Sequence, residues 1–148
     1  MLLSAQTKEL AYEQRIFDSD TCCWRKLSTE GRHNEATILI VDYIKNSPNA
    51  VNKHSLNWHA GQLFAAAGNT KQAIKYYKKT YNLFYKWFGD DDALAWYYYA
   101  KGNVAYVKKN KESLGRIIAK WDKKKLEKDI NYKALVEMLE NWHKQETN

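Results

Sequence analysis

The chain has 148 residues, of which 45% are hydrophobic and 14% aromatic, so one domain with a continuous core has ample material to bury. One Pro and six Gly are too few for the many turns of a β-rich fold. The net charge of +7 is uneven: residues 1–74 hold 8 basic and 7 acidic side chains, whereas residues 75–148 hold 16 and 10, a basic half that could attract nucleic acid or an acidic protein.

At the N-terminus, Met1 to Leu10 lack a basic start, an apolar run and a small-residue cleavage site. No signal peptide is therefore expected, and a cytoplasmic location is. No window reaches the roughly 18 apolar residues of a membrane span, so no membrane partner is expected. The first helical segment carries Tyr12, Ile16, Cys23, Trp24 and Leu27 at spacings of three, four or seven. Its adjacent Cys22 and Cys23 would point apart on a helix, which leads us to expect reduced thiols.

Breaks then follow at Ser28 to Gly31, Asn46 to Asn49, Gly68 to Thr70, Gly89 to Asp92, Lys109 to Lys111 and Lys128-Asp129. Between them lie segments of about 15 to 20 residues, the usual length of a packed helix. Gly31 and Gly68 stand where a helix C-terminus wants a residue able to take positive φ. Asp90, Asp91 and Asp92 precede Ala93 as N-terminal caps, and three neighbouring Asp without spaced partners match no metal loop. The helix after Gly68 is expected to run on through Tyr81, Phe84, Tyr85 and Trp87. The last segment, Ile130 to Lys144, places Leu135, Met138, Leu139 and Trp142 on one stripe.

The segments repeat weakly. Gly31 and Ala36 recur 37 residues on as Gly68 and Ala73, and Gly61 and Ala73 recur 41 residues on as Gly102 and Leu114. Periods of this size with two helices per unit indicate a helical solenoid. The stretch from Ala60 to Tyr77 resembles a tetratricopeptide repeat: Gly61 takes the small position of the first helix and Phe64 the aromatic one. Gly68 takes the turn, Ala73 the packing position of the second helix, and Tyr76 and Tyr77 follow it. The earlier unit matches at Trp24, Leu27, Gly31, Ala36 and Pro48. The later one departs, with Asn110 at its turn and no closing Pro. The resemblance covers about residues 17–125. It implies an all-α fold, a short right-handed array of antiparallel helical hairpins, within a single domain 1–148. Repeat-like units are expected at about 17–48, 54–88 and 93–125, with a C-terminal capping helix over 129–146.

Residues that could carry chemistry are sparse. His33, His54, His59 and His143 offer no set spaced for zinc, so no metal or cofactor is expected. No Ser or Cys stands beside a base and an orienting acid, and no Gly-rich phosphate loop is present, so no catalytic residue is named and no enzyme is expected. The suggestive constellation is polar and aromatic. Trp58, His59 and Gln62 lie on one predicted helix, and Trp96, Tyr99 and Asn103 on the first helix of the next unit. Trp58 and Gln62 share a face at i, i+4, as do Tyr99 and Asn103. The tetratricopeptide resemblance implies that first helices line a concave groove where peptides bind. There, amide, imidazole and indole groups would hold a peptide backbone. The bland alternative is that rings at helical spacing are core and that a buried amide satisfies a helix end.

Trp96 to Tyr99 form four consecutive rings that cannot all face one core stripe, so at least one is expected on a neighbouring helix, a groove or a second copy of the chain. Lys75, Lys78 and Lys79, then Lys108, Lys109 and Lys111, then Lys123, Lys124 and Lys125 cluster in the basic half. With Tyr76, Tyr77 and Tyr81 interleaved they make nucleic acid the alternative partner, although only four Arg are present and Lys-rich helix faces commonly serve solvation. The expectation is a non-catalytic protein- or peptide-binding adaptor or regulator. The second alternative is an enzyme with an unrecognised groove site.

Overall fold

A computed structural model describes residues 8–146, apart from the side chains of Tyr85 and of residues 143–146. Every regular element among the described residues is helical. The order is α1 Gln14–Phe17, α2 Cys23–Thr29, α3 His33–Asn46, α4 Lys53–Ala66, α5 Thr70–Tyr77, a 3-10 turn Lys78–Thr80, α6 Leu83–Phe88, α7 Asp91–Val107, α8 Lys111–Lys123 and α9 Ile130–Glu146. None of them is long and apolar enough to cross a membrane. The chain divides between Tyr76 and Tyr77 into two compact units, a boundary that falls inside the expected 54–88 stretch.

In the first unit α3 packs against both α2 and α4. Its core gathers Phe17, Trp24, Leu39, Ile40, Tyr43, Leu56 and Leu63. Phe17 stacks on Tyr43 with ring centroids 3.7 Å apart, and the Tyr43 hydroxyl donates to the Tyr12 carbonyl at 2.7 Å, tying the N-terminal segment down. The expected first helix is interrupted between Phe17 and Cys23. Asp18, Ser19, Asp20 and Thr21 compete with helical backbone through short polar side chains, and Asp18 accepts from the Trp24 indole at 2.9 Å. Cys22 and Cys23 are joined in a disulfide, contrary to the expectation of thiols. The premise of a shared helix fails there, because Cys22 is extended (φ −125°) and Cys23 takes φ 55°.

In the second unit α7, α8 and α9 pack on one another. The core holds Tyr97, Tyr98, Leu114, Ile117, Ile118, Trp121 and Leu135. Trp121 is sealed from solvent, and its indole donates to the Glu127 carbonyl at 3.0 Å. Gly102 lets α9 approach closely: a Cβ there would stand 2.5 Å from Leu135 Cδ2. The helix expected to continue past Tyr77 instead ends in the 3-10 turn, with Tyr81 extended (φ −148°). The Thr80 hydroxyl bonds back to the Tyr77 carbonyl at 2.7 Å, and the Thr80 carbonyl accepts from the Trp96 indole at 2.8 Å, so that carbonyl serves α7 rather than a further turn of helix.

One turn is used three times. Gly31, Gly68 and Lys109 all take positive φ, of 75°, 75° and 55°. Behind each, the same pair of bonds closes the helix: Gly31 N–H to Ser28 and Arg32 N–H to Leu27; Gly68 to Ala65 and Asn69 to Phe64; Lys109 to Tyr106 and Asn110 to Ala105. This left-handed cap satisfies carbonyls that the helix end would leave bare. The next helix then begins with Ala36, Ala73 or Leu114 donating to Arg32, Asn69 or Asn110, and all three of those side chains are fully buried. Asn69 and Asn110 also cap the new helix through their side chains, as Asp90 caps α7 by accepting from Ala93 N–H at 2.9 Å.

Candidate functional site

The six residues singled out in the sequence divide three and three between the units. On α4, Leu56, Ala60 and Leu63 face the core and turn the opposite stripe outward. Trp58 is buried, His59 half-buried and Gln62 exposed. His59 Nδ1 lies 2.9 Å from Gln62 Oε1. On its other edge, Arg25 Nη2 approaches His59 Nε2 at 3.4 Å.

Arg25 comes from α2 and was not singled out in the sequence. Its Nε donates to the Asp18 carbonyl at 2.7 Å, its guanidinium carbon lies 4.4 Å from the centroid of the Trp24 ring, and Asp20 stands 3.9 Å away. The Trp24 and His59 rings are 5.0 Å apart. An amide, an imidazole, a guanidinium and an indole thus meet on one face of the first unit. Such a set can hold a peptide carbonyl, amide or carboxylate against an aromatic wall.

The electrostatics of this cluster favour a neutral ring. Burial pushes the His59 pKa below the ordinary histidine value, and the Arg25 cation pushes it the same way. The hydrogen bond to Gln62 and the charge of Asp18 oppose this without reversing it. A neutral imidazole with one N–H and one lone pair is what its two partners require, since Gln62 presents an acceptor and a guanidinium can only donate.

On α7, Trp96 and Tyr99 are half-buried and Asn103 is buried. Trp96 and Tyr99 meet edge to face at 5.7 Å. Asn103 donates to the Tyr99 carbonyl one turn back at 3.0 Å, a bond internal to the helix. Burial raises the Tyr99 pKa, so its hydroxyl stays protonated and able to donate throughout the neutral range. The four-ring run splits its burial, with Tyr97 and Tyr98 in the core, Tyr99 packed at its edge and Trp96 half-buried. Tyr97 meets Tyr81 and Tyr98 meets Trp121, so neighbouring segments cover the rings.

Two further surfaces were not read from the sequence. The outward row of α3 (Ile38, Val41, Asp42 and Lys45) forms an open groove of about 580 Å³ with Phe64 and Asn69. On α6, Leu83, Phe84, Trp87 and Phe88 are 63% to 76% exposed, on one side of a helix whose Lys86 lies 4.8 Å from the centroid of the Trp87 ring. The spacing i, i+1, i+4, i+5 was the signal available for that face. It was absorbed into the long helix expected to follow Gly68. No described group of three or more His, Cys, Asp or Glu is placed to hold a metal ion. Comparison of the chain with protein-family models, with curated proteins and with solved structures returns no match.

Proposed function

We propose that this chain is a tetratricopeptide-like helical repeat that binds a protein or peptide without catalysis, as an adaptor or regulatory module. The helix-turn-helix pattern repeated at Gly31, Gly68 and Lys109 supports the repeat reading, because one backbone solution recurs at spacings of 37 and 41 residues. One observation carries the binding reading. Gln62 is exposed, yet its amide is bonded to a ring that is itself held by Arg25. A surface amide fixed in this way has already lost the rotamer freedom that binding would otherwise cost. Trp58, His59 and Gln62 act on α4, and Trp96, Tyr99 and Asn103 on α7.

The test is affinity capture by the tagged protein from its native lysate, with and without nuclease, for the wild type and for Gln62→Ala and Tyr99→Ala. A specific protein that survives nuclease and is lost in both variants, with their melting temperatures unchanged, supports the reading. Melting temperatures that collapse would make these residues structural.

A second reading, nucleic-acid binding by the Lys-rich half, is favoured by α6. Its exposed Phe84, Trp87 and Phe88, with Lys86 on Trp87, offer stacking faces beside positive charge. Trp quenching by single-stranded oligonucleotides that weakens steeply with salt would support it. No quenching at low salt would remove it.

A further inference from the structure

We propose that His59 is a proton-operated latch on Arg25: the neutral ring holds the guanidinium through the Nε2 lone pair, and protonation of Nε2 releases it. The argument rests on donor and acceptor chemistry. Gln62 Oε1 lies 2.9 Å from Nδ1 and can only accept, so Nδ1 carries the hydrogen. Arg25 Nη2 lies 3.4 Å from Nε2 and can only donate, so Nε2 must be bare. Both contacts hold for one tautomer of one protonation state. Adding a proton at Nε2 sets N–H against N–H and cation against cation, and no rotation of the ring restores both bonds.

The charged groups that face the ring are Arg25 on α2 and Asp18 in the segment before it, while Gln62 is the polar neighbour on α4 itself. Asp20 already pairs with the guanidinium, 3.9 Å from Arg25 Nε, and stays beside it on release. Arg25 also keeps its Nε bond to the Asp18 carbonyl, so release swings the Nη edge and leaves the base of the side chain in place. Its consequence for a ligand rests on the binding function proposed above: acidification would free a guanidinium edge on the face that carries Gln62, while the Nδ1–H bond to Gln62 Oε1 persists. The latch itself needs no ligand.

The experiment is long-range ¹H–¹⁵N correlation NMR on the uniformly labelled full chain, titrated from pH 7.5 to 5.0. Expected are a His59 ring protonated at Nδ1 near pH 7.5, a midpoint lower than in the same chain unfolded in urea, and Arg25 guanidinium resonances that move with that midpoint. Arg25→Gln should raise the His59 midpoint, because it removes the cation. A ring protonated at Nε2 at neutral pH overturns the proposal. So does a His59 titration that leaves Arg25 unmoved, or a midpoint equal to the unfolded one. Capture of a partner at pH 7.5 and 5.5 is a separate arm: an intact latch with no bound partner at either pH counts against the binding function and leaves the latch standing.

Discussion

Two mid-helix glycines of the second unit should respond to alanine with opposite signs. At Gly115 on α8 a Cβ meets nothing within 4 Å. Gly115→Ala should therefore gain the intrinsic helix preference of alanine, about 1 kcal/mol. At Gly102 on α7 a Cβ would lie 2.5 Å from Leu135 Cδ2 and 2.7 Å from Cδ1. Carbon atoms pack best at about 3.5–4.0 Å, so both methyls must retreat by about 1 Å. Leu135 is fully buried and cannot swing into solvent, so its side chain must repack within the core or α9 must shift. Overpacking of this kind costs about 1–3 kcal/mol. Set against the same helix-preference gain, the net loss for Gly102→Ala is about 1 kcal/mol, and the two variants should differ by about 2 kcal/mol. Urea unfolding followed by far-ultraviolet circular dichroism measures both. Leu135→Ala alone should cost about 2–5 kcal/mol, but in its background Gly102→Ala should turn stabilising, because the obstructing methyls are gone. If Gly102→Ala stabilises the wild type as much as Gly115→Ala does, the close approach of α7 and α9 is refuted. An unchanged Gly102→Ala effect in the Leu135→Ala background refutes the assignment of the clash.

Three further outcomes follow from particular residues. Lys109 holds φ 55° at a turn where Gly31 and Gly68 hold φ 75°, so Lys109→Gly should raise stability by about 1 kcal/mol, and a lower melting temperature would contradict the shared turn. Asn57 is buried, its Nδ2 donates to the Lys53 carbonyl, and its Oδ1 has no partner among the described residues. Asn57→Leu keeps the branched shape and removes the stranded oxygen, for a net gain of about 1 kcal/mol; a loss would mean that the oxygen is satisfied in solution. His59 has a folded pKa below its unfolded value near 6.5, so as pH falls the unfolded chain takes up the proton first. Stability should be unaffected by this group above that value and decline as pH drops from it toward the folded value. His59→Gln should flatten that part of the decline in melting temperature, and an identical pH profile would count against a depressed His59.

Much of the helical framework was legible because its punctuation is local. Gly31 and Gly68 take the positive φ that only glycine reaches cheaply, and Asp90 caps the amide it precedes. The break after Tyr77 was not legible, because it depends on the Trp96 indole reaching the Thr80 carbonyl from 16 residues away. Nothing in a lysine announces φ 55°, so the left-handed backbone at Lys109 and Lys125 was hidden, although the break at Lys109 to Lys111 itself was legible. The His59–Gln62 contact was within reach of helical spacing, since the two are three residues apart. Arg25 was not, because it meets His59 across 34 residues of chain. Burial separates the remaining candidates in a way sequence cannot: Trp58 and Asn103 sit inside, while Gln62, of similar polarity to Asn103, sits outside.

The turn at residues 31, 68 and 109 is held by backbone amides and carbonyls, with no side chain in either bond. Its geometry therefore survives replacement of glycine by lysine at a cost of about 1 kcal/mol, small beside the burial of Ala36, Ala73 or Leu114 that it makes possible. Substitution can erase the spelling of such a turn long before it erases its shape. What the three turns hold in common is a pattern of amide bonds, which a comparison of residue identities at 31, 68 and 109 does not register.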